Sequence, residues 1–559
     1  MIIKDNINLF WASVIVEELI RNNITQFYVS PGSRSTPFVI AITRNINTKC
    51  KIVYDERSAA FQAIGYAKSS GKAAVLICTS GSAVTHYYPA IIEAEATGIP
   101  LLIFSSDRPI ELQNTGANQT INQTNIFNNH VNYFQNIDTP SESVKIEYLL
   151  SLLNYCINVS QFPKKGGVHL NFRFREPLEP TKAYLSDSYI DSIADWENSK
   201  TIFKQYNNPI FNSHLNDLKN NILNAKKPLI IVGRVGVEIN LPINIPVFND
   251  VQSNVIFSDN VINYYDNILL SKSISDNKPD LVIIIGDAVI SKRLMKYINS
   301  AETNIISVMD RITNYDPDSN ISKSYLSNYN QFEKLMIDIN LKSTKWLEYW
   351  ISNNSIVKDV LNDFNEFSEI YFSKMILQKL SDATIFISNS TPVRSFDMYA
   401  VNKSNVIYSN RGASGIDGII STTIGISDGT NDFVYLVIGD LAFIHDLNSL
   451  TNIMKSKVKI ILYNNNGGGI FNFLPIAKHE DVFTENFITP HTYSFDNIAK
   501  NFDIPYCFAD NSVDFDKQLN HVINSDSPLL FEIRYDNKKN HQYYNNIQKT
   551  IKDKLNAEL

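Results

Sequence analysis

Cysteine is scarce in this chain: 559 residues hold four, Cys50, Cys78, Cys156 and Cys507. None lies near enough to another for a zinc knuckle or a Cys-x-x-Cys redox pair, so buried thiols in a reducing compartment are expected. Long apolar runs are also missing. No window approaches eighteen uninterrupted apolar residues, and the first six residues, Met1 to Asn6, carry no basic stretch ahead of an apolar one. Neither a membrane span nor a signal segment is expected, and the expected location is cytoplasmic. Positive charge is not in excess. The 50 Lys and Arg against 57 Asp and Glu leave a net charge of -7, with no basic face for a phosphate backbone, so nucleic acid is not an expected partner. Arginine is rarer still, 13 residues against 37 lysines. A position that merely needs positive charge is lysine in this chain, which singles out the arginines that remain.

Apolar residues at 44% and aromatics at 11% describe a globular chain, and its length is several times that of one domain. Short β-branched and apolar runs alternate with helix-length segments throughout, the pattern of parallel sheets with crossover helices. Strands are predicted at 26–30, 51–54, 73–79 and 100–104, at 228–233, 281–286 and 304–309, and at 384–388, 434–439, 458–463 and 528–534. An amphipathic helix is predicted over 8–21. Polar intervals near 182–204 and 314–330, and a polar tail from Asp536, interrupt the rhythm. The fold class is α/β, with three doubly wound domains expected at 1–182, 200–340 and 355–559 and no short-period repeat.

The strongest local signal is Val434-Tyr-Leu-Val-Ile-Gly-Asp440, followed by Asn464-Asn-Asn-Gly-Gly-Gly469, with Asn465 lying 25 residues beyond Asp440. Both clusters follow predicted strands. In an open parallel sheet ligands collect at the carboxyl ends of strands, so neighbouring strands would present Asp440 and Asn465 to one point. One carboxylate with amide and backbone oxygens suits a hard divalent ion that also touches a diphosphate, and magnesium is the natural candidate. The glycines would let the backbone approach phosphates and leave the Gly467 carbonyl free to coordinate. Taken singly, each cluster is also an ordinary turn sequence; the spacing and the strand contexts favour a site.

This pair resembles the metal and diphosphate motif of thiamine-diphosphate enzymes. Ser30-Pro-Gly-Ser-Arg-Ser-Thr-Pro37, Asp55-Glu-Arg57, Thr79-Ser-Gly-Ser82, Asp107-Arg-Pro109, Gly116-Ala-Asn-Gln119, Arg411-Gly-Ala-Ser-Gly-Ile-Asp-Gly418 and the stretch from Asn464 to Leu474 follow in the order of the motifs of one branch. That branch is the 2-succinyl-5-enolpyruvyl-6-hydroxy-3-cyclohexene-1-carboxylate synthases, transferases of menaquinone biosynthesis. The resemblance implies pyrimidine-binding, middle and diphosphate-binding domains, each with a largely parallel six-stranded sheet. It implies thiamine diphosphate with Mg2+ or Mn2+, and a homodimer or homotetramer with the active site at the subunit interface. The implied reaction is decarboxylation of 2-oxoglutarate, addition of the succinyl-semialdehyde carbanion to isochorismate, and release of CO2. The alternative is another thiamine-dependent 2-oxo acid decarboxylase or an acetolactate-type carboligase.

Residue by residue, Glu56 matches the glutamate beside the aminopyrimidine that promotes proton loss from the thiazolium. Ile416 matches the apolar prop that bends the cofactor, and Ile470, Phe471 and Leu474 would wall its pocket. Asp440, Asn465 and Gly467 match the metal ligands. The motif arginines carry an argument of their own, because a guanidinium fork binds carboxylate bidentately as lysine cannot. Arg34, Arg108, Arg293 and Arg394 are therefore expected to meet substrate and Arg411 the cofactor. Any one of them could instead sit in a structural ion pair; as a set they favour dianionic substrates. Lys292, Gln119, Ser33 and Ser390 are further candidates for substrate, catalysis or cofactor, and Ser33 is alternatively a cap for a helix starting near Thr36. Arg34, Arg394, Gln119 and Ser33 join Glu56 in the expected catalytic set. Leu441 fits this branch, whereas Ala442 stands where serine is expected. The nine histidines are scattered, none spaced for a catalytic pair, and His86 is expected to pack. Val232-Gly-Arg-Val-Gly236 hints at dinucleotide binding without the full glycine fingerprint, which reads as a vestigial nucleotide-type fold.

Overall fold

A computed structural model describes residues 2–181, 185–209, 215–287, 289–299, 302–339, 341–342 and 344–558. The expected domain borders at 1, 182, 340 and 559 lie outside the described residues. Three six-stranded sheets carry the fold, and every strand pairing within them is parallel. The first holds β1 (Gln26–Val29), β2 (Lys49–Ile52), β3 (Ala74–Cys78), β4 (Leu101–Asp107), β5 (Tyr133–Ile137) and β6 (Gly167–Arg173), in the order β2-β1-β3-β4-β6-β5. The second holds β7 (Pro228–Val232), β8 (Val247–Asn249), β9 (Val261–Ile262), β10 (Leu281–Ile285), β11 (Asn304–Met309) and β12 (Ile321–Leu326), in the order β12-β11-β10-β7-β8-β9. The third holds β13 (Thr384–Ile387), β14 (Val406–Tyr408), β15 (Val434–Gly439), β16 (Val458–Asn464), β17 (Tyr506–Ala509) and β18 (Leu529–Arg534), in the order β14-β13-β15-β16-β18-β17. Central strands such as β10, Leu-Val-Ile-Ile-Ile, are buried along their whole length, as strands covered on both faces must be.

By contacts the chain forms two compact units. One comprises Met1–Pro209, Arg411–Asp432 and Asp446–Ser456. Alternate residues of its sheet feed two cores, Phe27 and Val29 joining Phe10, Phe38 and Phe104 on one face, Tyr28 joining Phe61, Leu76 and Tyr87 on the other. Here the helix Glu56–Ser70 meets the helix Ile419–Thr430 with their backbones nearly touching. A Cβ on Gly65 would lie 1.9 Å from the Thr422 carbonyl oxygen, and one on Gly425 1.9 Å from that of Gln62. Asp428 completes the junction, accepting from Tyr28 Oη at 2.9 Å and Lys51 Nζ at 3.0 Å.

The other unit comprises Ile210–Asn410, Phe433–His445 and Lys457–Leu559. Read from β9, its middle sheet has the strand order 3-2-1-4-5-6 of doubly wound nucleotide-binding folds, whose crevice opens where the order reverses, between β7 and β10. In this chain two turns fill that point. A Cβ on Gly233 would lie 2.4 Å from the Asp287 carbonyl oxygen, and one on Gly286, at φ 73°, 2.3 Å from that of Arg234. The Asp287 carboxylate then pairs with Arg234 at 2.7 Å and with Arg311. The third sheet packs Phe372, Phe396, Phe515 and Phe531 into its core.

Three polar stretches are more ordered than their composition suggests. The tail expected from Asp536 is the helix Asn537–Ala557, its first turn capped by the Asp536 carboxylate, which accepts from Lys539 N at 2.8 Å. Tyr544, Ile547, Ile551 and Leu555, spaced three and four apart, bury one face of that helix beside Trp350 and Leu361. The interval 314–330 contains β12, and the described part of 182–204 contains the helices Asp187–Asp191 and Ala194–Ser199, with Tyr189 and Trp196 buried.

Candidate active site

In the first unit Arg34, Ser80 and Arg108 stand past the carboxyl ends of β1, β3 and β4. After β1 the chain passes so close to β3 that a Cβ on Gly32 would lie 2.3 Å from Thr79 Cβ. This delivers Arg34 into the protein at 5% exposure, donating to Phe174 O at 3.0 Å and Glu176 Oε1 at 3.1 Å. Arg108, just past β4, donates to Ser80 Oγ at 2.6 Å; Ser80 Oγ donates to Gln119 O at 2.9 Å, and Gln119 Nε2 returns to Ser80 O at 2.9 Å. Gln119 is held at φ 56° in this exchange. Burial, and then the charge of Arg34, hold the Arg108 guanidinium below its ordinary value, so two cations share one locality. Ser33 corrects one expectation. The helix Thr36–Thr43 begins where predicted, but Ser33 opens a preceding 3-10 turn, its carbonyl accepts from Thr36 Oγ1 at 2.6 Å, and no side chain caps the helix.

Glu56 opens the helix Glu56–Ser70, whose N-cap Asp55 accepts from Arg57 N at 2.9 Å and Ser58 N at 3.3 Å. With Tyr54, His86, Asn448 and Thr451 it lines a cavity of about 610 Å³. Burial pushes its carboxyl above the ordinary range, with His86 charge pulling the other way. His86 is exposed on this cavity rather than packed, contrary to expectation, because the 3-10 turn Gly81–Tyr87 turns Tyr87 inward instead. The loop Arg411–Gly418 is fastened by Glu93, which accepts from Gly412 N at 3.1 Å and Ala413 N at 2.7 Å. The fastened loop leaves Arg411 half-buried and Ile416 exposed at 38%.

In the second unit, β13 ends in a turn where Ser390 adopts φ 76° and ψ -134°, a strained geometry for any residue but glycine. Arg394 donates to Ser390 O at 2.6 Å, and Thr391 Oγ1 donates to the buried Glu369 Oε1 at 3.0 Å. Tyr535 Oη, at 2.6 Å, and Asn540 Nδ2, at 3.3 Å, share that same oxygen. Burial pushes the Glu369 carboxyl up to about 7, and the charge of Asp440 adds to the rise. Lys292 is exposed, and the neighbouring Arg293 is bound in an ion pair with Asp266.

β15 and β16 run level, Gly439 beside Tyr463, so Asp440 and the Asn464–Asn466 turn leave adjacent strand ends as predicted. Asp440, 2% exposed, accepts Leu441 N on Oδ1 at 2.7 Å and Gly467 N on Oδ2 at 2.9 Å. Asn465 Oδ1 is buried with no hydrogen-bond partner among the described residues. A buried carboxylate and an orphaned amide oxygen at neighbouring strand ends are a donor set that a hard divalent cation satisfies. Two details differ from expectation. The Gly467 carbonyl is not free but accepts Gly469 N at 3.0 Å, which leaves it one lone pair. Gly467 and Gly468, moreover, admit protein: Cβ atoms there would lie 2.2 Å from the Ile488 carbonyl oxygen and 2.5 Å from that of Phe487. Ile470 and Phe471 are half-buried, Phe471 against Phe487 at 5.4 Å, and Leu474 is exposed. A further neighbour, His491, lies with Nε2 3.2 Å from Asp440 Oδ2. It stands 51 positions along the chain, and only the fold joins the two.

The models of three families match the chain in sequence: the N-terminal TPP binding domain of thiamine pyrophosphate enzymes over 11–126, their middle domain over 187–387, and their C-terminal TPP binding domain over 391–533. The chain belongs to the thiamine pyrophosphate enzymes and, within them, to the family of the 2-succinyl-5-enolpyruvyl-6-hydroxy-3-cyclohexene-1-carboxylate synthases. Relatives of that name include proteins from Chlorobium phaeobacteroides (strain BS1), 36% identical over 89% of this chain and 90% of the relative, and from Psychromonas ingrahamii (strain DSM 17664 / CCUG 51855 / 37), 35% identical over 97% and 95%. A third, from Prosthecochloris aestuarii (strain DSM 271 / SK 413), is 32% identical over 99% of both.

Proposed function

We propose that the chain joins the fragment left by decarboxylation of 2-oxoglutarate to isochorismate, giving 2-succinyl-5-enolpyruvyl-6-hydroxy-3-cyclohexene-1-carboxylate and CO2 in menaquinone biosynthesis. The observation that carries this reading is the pair Arg34 and Arg108, two guanidiniums past the ends of β1 and β4, on either side of β3, with Arg34 paired to Glu176 at 3.1 Å; two forks on one sheet edge suit a dianionic acid. When bound, thiamine diphosphate supplies a thiazolium that takes up the electron pair released as CO2 leaves a 2-oxo acid. Asp440, Asn465 and the second lone pair of the Gly467 carbonyl would hold an Mg2+ or Mn2+ ion, which would supply positive charge to a diphosphate. Glu56, whose carboxyl burial raises above its ordinary value, would serve the aminopyrimidine. Ile416 props the cofactor, Ser390 and Arg411 contact it, and Ile470, Phe471 and Leu474 wall its pocket. Arg34, Arg108, Arg394, Gln119 and Ser33 bind and orient the acids, with Lys292 and Arg293 at the outer carboxylates.

The proposed domains are 1–182 for the pyrimidine, 200–340 between, and 355–559 for the diphosphate. The proposed assembly is a homodimer or homotetramer with the site at the subunit interface, and the proposed location is the cytoplasm. Among the described residues no helix is long and apolar enough to cross a membrane. The test is incubation of purified protein with thiamine diphosphate, magnesium and 2-oxoglutarate, with and without isochorismate, and mass spectrometry of the product. A succinylated cyclohexene adduct that disappears in Glu56→Gln is the expected result. Turnover of pyruvate without that adduct would move the chain to another decarboxylase.

A further inference from the structure

The His491 side chain is buried, 7% exposed, and among the described residues Asp440 supplies the one polar contact of its ring. Three anchors independent of Asp440 fix where the imidazole sits. Its backbone N–H donates to Asn466 Oδ1 at 3.0 Å. The ring packs against Tyr493 at 5.0 Å and edge-on to Phe495 at 5.8 Å, and Phe495 meets Phe443, three residues past Asp440, at 5.5 Å. The segment leading to it is pinned on the glycine turn, where Gly468 N donates to Ile488 O at 2.7 Å.

The hydrogen-bond inventory of Asp440 is therefore asymmetric. Oδ2 accepts from both Gly467 N and His491 Nε2, which engages its two lone pairs, whereas among the described residues Oδ1 accepts from Leu441 N alone. A carboxylate only accepts, so Nε2 carries the hydrogen of this contact. The buried Nδ1 has no partner among the described residues, so the contact with Asp440 orients the ring. Packing alone would be met by any flat ring; a buried imidazole whose donor lands on the carboxylate does more.

We propose that His491 is a positioning residue for the divalent cation, holding the Asp440 carboxylate by Oδ2 so that the remaining lone pair of Oδ1 is kept for the metal. The inference rests on the reading of Asp440 and Asn465 as cation ligands. Partners behind metal ligands tune affinity by roughly 10–100-fold, through orientation of the ligand.

The experiment is Mn2+ binding to the purified full-length protein in the presence of thiamine diphosphate, read from the free Mn2+ signal in electron paramagnetic resonance. His491→Leu keeps bulk without a donor, His491→Gln keeps a donor, and Asp440→Asn tests the ligand itself; melting curves without cofactor check that each variant folds. The expected result is Mn2+ affinity weakened roughly 10–100-fold in His491→Leu and largely restored in His491→Gln. Affinity within twofold of the parent in His491→Leu, while Asp440→Asn loses binding, overturns the inference and leaves His491 a packing residue. Binding that survives in Asp440→Asn overturns the cation-site reading itself. Should His491→Leu fail to fold, parent-like affinity in His491→Ala overturns the inference equally.

Discussion

Gly467 and Ile488 meet backbone to backbone: a Cβ on the glycine would lie 2.2 Å from the Ile488 carbonyl oxygen, and the glycine itself sits at φ 134°. The segment carrying Ile488 is thereby seated on the turn that follows β16. Gly467→Ala meets both a clash and a disfavoured backbone, so a stability loss of about 3 kcal/mol is expected in urea unfolding. Weaker thiamine-diphosphate binding should accompany it, because the Gly467 N–H that orients Asp440 moves with the turn.

A second close approach predicts a different kind of loss. Gly65→Ala or Gly425→Ala would push apart the helices Glu56–Ser70 and Ile419–Thr430, each at an expected cost of about 2–3 kcal/mol. The two changes strain one junction, so the double variant should lose less than the sum of the singles. Denaturant titration of all three proteins measures this directly; additive losses would show that the helices do not share the contact.

Glu369 makes stability depend on pH. Its folded-state carboxyl titrates at about 7 against an ordinary 4.5, so the folded protein binds this proton more tightly than the unfolded chain. The stabilisation is complete below about pH 4.5 and is lost as pH rises through about 7, a change on the order of 3 kcal/mol. Asp446, pushed up to about 6 by burial, adds a decline of the same sign. Melting temperatures of Glu369→Gln across this range should fall less steeply than those of the parent, retaining the Asp446 part.

Glu93 should govern the loop Arg411–Gly418. Removing its carboxylate in Glu93→Ala leaves the N–H groups of Gly412 and Ala413 without that acceptor, an expected cost of about 2–3 kcal/mol. Hydrogen exchange at those two amides should accelerate, while exchange in β10, in the other unit, stays as in the parent. Unchanged protection of the loop would mean that other contacts hold it.

The sheets were most legible in long runs of β-branched and apolar residues such as Leu281–Ile285 and Val434–Gly439, whereas β6, buried almost throughout, escaped because His169, Asn171 and Arg173 break its apolar run. Strands with a mixed surface escaped: β5 is only partly covered, and β12 exposes Lys323 and Ser324 in a stretch that reads as polar. The helix Asn537–Ala557 carried its signal openly, in the spacing of Tyr544, Ile547, Ile551 and Leu555, beneath a surplus of Lys and Asn. At the site, Asp440 and Asn465 were visible because each directly follows a strand. The contact of His491 with Asp440, the blocking of Gly467 by Ile488 and the fastening of Gly412 by Glu93 were not. Each joins residues distant in sequence, and no local pattern encodes such a pairing.

The first and third sheets share one strand order, 2-1-3-4-6-5 when each is counted from its own first strand. Counted that way, the functional side chains fall at matching addresses. The ends of the first strands lead to Arg34 and to Arg394, those of the third to Ser80 and to Asp440, and those of the fourth to Arg108 and to Asn465. At the third and fourth addresses one copy of the plan carries a hydroxyl and a guanidinium, the other a carboxylate and an amide. The first address carries an arginine in both copies, so a scaffold used twice keeps one group and exchanges the other two: strand number gives the place of a polar side chain, and at the third and fourth addresses the copy gives its chemistry.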